Sequence, residues 1–319
     1  EPGPGAIVVP VRSVYMVIND SQLRRLDDST VIPTSGATLT LDEGSWTWGF
    51  SATIPGYALS LVQRTSPDKP VGVALEINGE TFHAQIESVS RSRAFNSDSL
   101  RISGRGVAAI LDSPYAPAVS RSHAFDRTAQ QLANEALMIN GVSIGWDIEW
   151  GLTDWLVPAG VFNHYGTAIG AISAIAAAAG GYVQPHPTLQ RLRLLPKYPT
   201  APWLWGSVTP DITLPADPVS VEGTEWIDRV AYNRVFVSGM QSGVNGDVTI
   251  TGTGGLLVAP PVTDQLITHA DAARQRAIAE LATGGRWVNR DLKLPVLEET
   301  GIILPGKFVT YNDGEIEQL

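Results

Sequence analysis

The chain has 319 residues, 44% of them apolar and 17% charged, the balance of a folded protein of two or three domains and not of a disordered one. Its net charge of −10, with no run of Lys or Arg, leaves no electrostatic footprint for a phosphate backbone, and the absence of cysteine removes disulfides, thiolate catalysis and Cys-based zinc sites. The longest small-apolar stretch, 168–181, is shorter than the roughly 20 residues that a bilayer requires, and a packed helix is the better reading of it.

Residues 1–10 are rich in Pro and Gly, and 11–18 read as a first strand. Within 39–55, Trp46, Trp48 and Phe50 alternate with Ser45, Thr47, Gly49 and Ser51; this period of two predicts a strand with three aromatic rings on one face. Asn78-Gly79 stands between strand-like segments 73–77 and 81–89, and a two-residue turn with positive φ at both positions predicts a hairpin there. With a further strand over 100–106, the first third reads as antiparallel β to about residue 118.

After Pro114 and Pro117 the period changes. Residues 124–137 place Phe125, Ala129, Leu132, Ala136 and Leu137 on one helical face, and Asn140-Gly141 is expected to end that helix. A strand-like segment (142–150), a helix over 167–179 stopped by Gly180-Gly181, and strands at 182–184 and 191–195 make a compact α/β unit. Six prolines between 196 and 225, with Trp203 and Trp205, predict an extended connector without a core of its own. Strands at 229–238 and 247–252, a helix over 269–282 with Asp271 in its first turn, and strands at 292–296 and 307–311 then make a second β domain. The expected division is a β domain (1–118), an α/β insertion (119–200), a connector (201–225) and a second β domain (226–319). The last segment, 311–319, reads as a hairpin whose second strand has just begun, so the natural polypeptide is expected to continue.

Several motifs imitate chemistry without its context. Gly141-Val-Ser143-Ile-Gly145 has the pattern of a nucleophile elbow, but a helix precedes the Ser where a strand is required. Gly301-Ile-Ile-Leu-Pro-Gly306-Lys307 imitates a phosphate loop, yet Phe308 stands where Ser or Thr would hold magnesium, and a turn at Pro305-Gly306 explains it. Gly104-Arg-Gly106-Val-Ala-Ala109, with Asp126 downstream, resembles a dinucleotide fingerprint but reads as a glycine-flanked turn into a short helix. His83, His123, His164, His186 and His269 lack ligand spacing, and adjacent Glu298 and Glu299 would point to opposite faces of a strand. A carbohydrate-stacking platform built from Trp46, Trp48, Trp146, Trp150, Trp155, Trp203 and Trp205 competes with core and interface packing, the commoner use of such residues. No catalytic residue, cofactor or metal site is expected.

In this order of elements the chain resembles the hub proteins at the distal end of phage tails. That family includes the baseplate hubs of Mu-like and T-even phages and related siphophage and gene-transfer-agent tail proteins. The resemblance rests on Gly44-Ser-Trp-Thr-Trp-Gly-Phe-Ser-Ala-Thr-Ile-Pro55, on Ile102-Ser-Gly-Arg-Gly-Val-Ala-Ala-Ile-Leu111, on the helix with His269-Ala-Asp-Ala-Ala-Arg-Gln-Arg-Ala277, and on Ile303-Leu-Pro-Gly-Lys-Phe-Val-Thr310. It implies a mainly β chain with an α+β insertion, in which two tube-like antiparallel β-barrel or sandwich domains flank a small α/β domain. It also implies a homotrimer whose pseudo-sixfold ring joins a hexameric tail tube, at the distal end of a virion tail and made in the host cytoplasm. The implied partners are the tail tube protein, a tape-measure protein and distal spike or fibre proteins, with no specific nucleic-acid binding, although DNA passes through the channel.

On that reading Trp46 and Trp48 are core or interface anchors, and Arg105, held between Gly104 and Gly106, bonds backbone carbonyls at a domain junction. Part of the negative charge is expected to line the channel and repel DNA. Two other readings compete: a carbohydrate-binding or glycan-degrading tail component, and the spike base of a contractile injection system.

Overall fold

The structure, a computed structural model, describes residues 20–64, 70–240, 244–298, 300–311 and the backbone of 315–318. The strand expected over 11–18 lies outside the described residues. Strands β1 (Ser21–Arg25), β2 (Val31–Ile32), β3 (Gly36–Thr40), β4 (Gly49–Pro55), β5 (Val71–Ile77), β6 (Glu80–Ala94) and β7 (Ser97–Gly106) form one antiparallel sheet, ordered β2-β1-β5-β6-β7-β4-β3. The Asn78-Gly79 hairpin forms as its sequence predicts, with φ of 50° and 85° and Ile77 opposite Glu80. Alternate residues, among them Phe50, Ile54, Val73, Leu75, Ile86, Leu100 and Ile102, bury one face, and the short helix α1 (Leu59–Val62) covers it with Val62. The β6–β7 hairpin outruns its neighbours, because β5 reaches only Ile86 and β4 only Ser99; its outer part ends at a fully exposed Phe95.

The middle of the chain comprises β8 (Val119–Ser122), β9 (Arg127–Thr128), α2 (Ala129–Ala136), β10 (Met138–Ile139), β11 (Val142–Ser143), β12 (Asp147–Trp150), β13 (Leu156–Val157), β14 (Asn163–Gly166), α3 (Ala168–Ala178), β15 (Gly181–Pro185) and β16 (Arg191–Pro196). Helix α2 starts later than the sequence period suggests. Thr128 accepts from Gln131 N at 3.3 Å and its own N–H donates to the Gln131 side chain at 3.0 Å, a capping box that fixes the start and leaves Phe125 upstream and exposed. Asn140-Gly141 is not a helix stop either. With φ of 52° and 78° it turns the small β10–β11 hairpin, the same chemistry as Asn78-Gly79, after the helix has already ended at Leu137. Helix α3 matches expectation, capped by Thr167 and followed by Gly180 at φ 66°. Ile169, Ile172 and Ile175 of α3, Leu132 of α2, Trp146, Trp155, Phe162, Leu192 and Leu194 share one buried core.

The last part holds β17 (Ile212–Leu214), β18 (Val221–Asp228), β19 (Arg234–Gly239), β20 (Asn245–Thr249), β21 (Val262–Asp264), α4 (Ala270–Ala282), β22 (Arg286–Lys293), β23 (Phe308–Tyr311) and β24 (Glu315–Gln318). They form three small sheets, β17-β23-β24, β18-β22 and β20-β19-β21. The stretch read as an extended connector therefore carries two strands, with β17 parallel to β23 and β18 antiparallel to β22. Their partners lie far along the chain, which hides them from any local signal. The strand expected over 292–296 lies earlier, at β22, while Tyr311 opposite Glu315 forms the expected closing hairpin. Helix α4, capped by the His269 side chain, packs Ala273, Ala277 and Leu281 onto Val235 and Val237 of β19. It is tied to the middle by paired bonds between Gln275 and the Thr153 backbone, 2.8 and 2.9 Å, and the Trp155 indole donates to Leu266 O at 2.8 Å just before it. No helix among the described residues is long and apolar enough to cross a membrane.

Candidate functional site

Gly104, Arg105 and Gly106 are the end of strand β7, not a turn, and the 3-10 segment Val107–Leu111 begins immediately after them. The β6–β7 register shifts between Ile86 and Ser88, a bulge at Glu87. The bulge presses the Gln85 carbonyl against Gly104, where any Cβ would lie 1.8 Å from the oxygen. Only glycine fits there. The same bulge aims Glu87 at Arg105, whose Nε and Nη2 donate to that carboxylate at 3.0 and 2.8 Å.

Arg105 also reaches Asp112 at 3.4 Å and the Ser113 carbonyl at 2.9 Å, and its guanidinium sits 5.8 Å from the centre of the Trp46 ring. The bond to Glu87, more than any other contact, raises the Arg105 pKa above its ordinary value. Asp112 in turn accepts from the Thr167 hydroxyl at 3.0 Å, and Thr167 caps α3. The line Glu87, Arg105, Asp112, Thr167 thus fastens the first sheet to the helix of the middle core. Of the carbonyls expected around Arg105 one is present, Ser113; its other partners are the two carboxylates, which the sequence reading missed.

The three aromatic rings expected on one strand face separate. The chain bends at Trp46 and Thr47 before β4 begins. Phe50 enters the first core, and buried Trp48 meets Phe82 edge-on at 5.0 Å. Trp46 turns to the middle core instead. The remaining motifs are structural in the same way. Ser143 lies in the exposed β10–β11 hairpin, and Pro305-Gly306 is a turn with Gly306 at φ 89°. His123 and His164 each stack on the Phe162 ring, with ring centres 5.9 and 6.2 Å from it. Burial, and secondarily the charge of Arg121, lowers the His164 pKa. Among the described residues no three His, Cys, Asp or Glu side chains gather as a metal ligand set. Trp146 and Trp155 are core residues, and Trp205 packs edge-on against Phe308 at 5.9 Å.

Two polar ribbons stand apart from the cores. In the outer β6–β7 hairpin, Arg91 and Arg93 share Asp98, at 2.9 and 3.4 Å, and the bond from Arg91 holds the Asp98 carboxyl down at about 2. In the β18–β22 ribbon, Arg286 pairs with Asp228 at 3.1 Å and Arg290 with Glu222 at 3.6 Å, while Trp226 is 66% exposed.

The whole architecture has counterparts among solved structures. The chain is similar to a tail protein from Neisseria meningitidis MC58, with a TM-score of 0.61 and 14% identity over 94% of this chain and 89% of that one. It is also similar to the 43 kDa tail protein of prophage MuSo2 from Shewanella oneidensis, with a TM-score of 0.57 and 14% identity over 95% and 92% of the two chains. This is a phage tail protein fold.

The expected fold class, mainly β with an α/β unit between two β regions, is that of these tail proteins across nearly the whole chain. No family model and no curated protein matches the sequence itself. In the tail-protein fold the residues that sequence reasoning missed, Glu87 and Asp112, are those that a bulge and a 3-10 turn bring to Arg105, and neither device has a sequence signature of its own.

Proposed function

We propose that the chain is a structural hub of a phage or prophage tail, a ring-forming adaptor between the tail tube and distal spike or fibre proteins. The observation that carries this reading is the tail-protein fold over 94% of the chain. In the proposal the two β regions, 1–118 and 226–319, each stand for one tube subunit, with 119–200 as an insertion and 201–225 as the link. Three copies then offer six tube-like domains, a cyclic match to a hexameric tube. The partners are the tail tube protein, the tape-measure protein and the spike or fibre proteins, and the site is the distal end of the virion tail.

The role is mechanical, not catalytic. The Glu87, Arg105, Asp112, Thr167 line supports it by locking the first sheet to the middle core, so that force or torque on one is passed to the other. Burial of Trp48, Trp146 and Trp155 weakens the carbohydrate-platform reading, which needs their faces in solvent. Light scattering combined with negative-stain images tests the hub. Threefold rings with a central channel are expected, and a chain that stays monomeric at every concentration overturns it.

A further inference from the structure

We propose that neighbouring copies join edge to edge, the outer edge of β6 in one copy adding to the outer edge of β18 in the next. This rests on the ring-forming reading above and names its contact. Strand β5 leaves β6 at Ile86, and the Arg64 side chain covers the next carbonyls, Ile86 O at 3.4 Å and Glu87 O at 3.0 Å. From Ser88 to Ala94, β6 pairs with β7 on one side and, among the described residues, with no strand on the other. Strand β18 is in the same position, paired over eight residues with β22 and, among the described residues, with no second neighbour. A two-stranded ribbon is marginal in water, and an open edge is a template for another strand.

The charges select the partner. Residues 88–94 hold Arg91 and Arg93, which share a single acid across the hairpin, Asp98, whereas 221–228 hold Glu222, Glu225 and Asp228, of which Glu222 and Asp228 face Arg290 and Arg286 across the ribbon and Glu225 carries the excess. Two β6 edges brought together would oppose Arg to Arg, and two β18 edges Glu to Glu; like charges facing each other across strands are destabilising. The mixed pair is complementary. Because its two halves lie on different parts of one chain, the contact is head-to-tail, and a head-to-tail contact with a closing rotation makes a ring. Each ribbon also presents one aromatic side chain, fully exposed Phe95 and 66% exposed Trp226, of the kind that anchors interfaces. By contrast β3, Gly36–Thr40, is an edge without charge and so without this selectivity.

The chain has no cysteine, so disulfide trapping is free of background. Ser92→Cys and Thr224→Cys, which share a face when Glu225 meets Arg91, are made in separate chains, mixed and oxidised. The mixture should give a covalent dimer that neither variant gives alone, and a chain with both substitutions should give a ladder that stops at three. In parallel, R91E/R93E and E225R should each weaken self-association roughly tenfold or more, and their combination in one chain should restore it. The circular dichroism and melting of these surface variants should match the unaltered chain. If rings form but no mixed dimer is trapped and the charge variants assemble normally, this contact is wrong and the hub reading stands. If the unaltered chain never self-associates, both fall. Trapping of the β6 edge by a co-expressed tail tube protein in place of a second copy also overturns it.

Discussion

In the first sheet seven strands share one apolar face, and in the middle α2 and α3 close a second core around Trp155 and Phe162, whereas the last third divides eight strands among three small sheets. One of those sheets has a core cluster of Leu214, Val309 and Tyr311, with Phe308 buried beside it against Trp205. Burial supplies most of the stabilising free energy, at roughly 25 cal/mol per Å² of apolar area. The first two regions therefore carry more of that burial than the third, which lends Leu266 and Ala272 to the middle core. The open edges and exposed aromatics also concentrate where the cores are thin or absent, in β18–β22 and the outer β6–β7 hairpin. A molecule built this way combines a well-packed frame with thinly covered ribbons, and in the proposed ring the neighbours' contacts complete the cohesion of those ribbons.

The largest expected effect comes from the tightest point of the frame. Gly104→Val drives a side chain into the Gln85 carbonyl and should cost about 3 kcal/mol or more in chemical denaturation. In the loose ribbon, Gly223→Ala meets nothing nearer than an Asp291 side chain at 3.5 Å and should change stability by less than about 0.5 kcal/mol. Equal losses at the two positions would dissolve the contrast between frame and ribbon.

Core truncations sharpen it further. Ile172→Ala, in a fully buried position, should cost about 2–5 kcal/mol, while Val309→Ala in the small core should cost about 1–2 kcal/mol. Hydrogen exchange should show the same order, with amides of β7 between Leu100 and Gly106 far slower than those of β18, and with β18 slowing on assembly.

At the junction, Arg105→Ala leaves Glu87 and Asp112 facing each other without their cation and should cost about 2–3 kcal/mol. Thr167→Ala, which removes one cap and one bond to Asp112, should cost about 1 kcal/mol. If Arg105→Ala proves neutral in both stability and assembly, the line from Glu87 to Thr167 is not what fastens the first sheet to the middle.

The smallest effect is acid-dependent. The Asp98 carboxyl sits at about 2 in the folded chain and ordinarily at 3.8, so its contribution is present above 3.8 and is lost as pH falls through about 2. Asp98→Asn should flatten the acid limb of the melting curve in that window and leave neutral pH almost unchanged. A large loss at pH 7 would mean that the outer hairpin is more firmly tied to the frame than its exposure implies.

Much of the fold is legible in the residues alone where the deciding signal is local. Asn78-Gly79 needs positive φ at both positions and makes its hairpin wherever it is placed, and Thr167 and His269 start α3 and α4 within a residue of the helix spans read from the period. Asn140-Gly141 makes the same turn but was masked by the helix before it. The candidate site was half legible: Arg105 and its glycines stand out, but Glu87 needs a bulge, Asp112 a 3-10 turn, and Trp46 a bend that breaks the alternation of its neighbours. The strands β17 and β18 were hidden because their partners β23 and β22 lie tens of residues away. The sequence by itself determined the turns, caps and apolar periods, since each is fixed by the allowed φ and ψ of a few adjacent residues. Only the tertiary structure decided which distant strands pair, in what register and which edges stay open, because that choice rests on how whole buried faces fit and on no single residue.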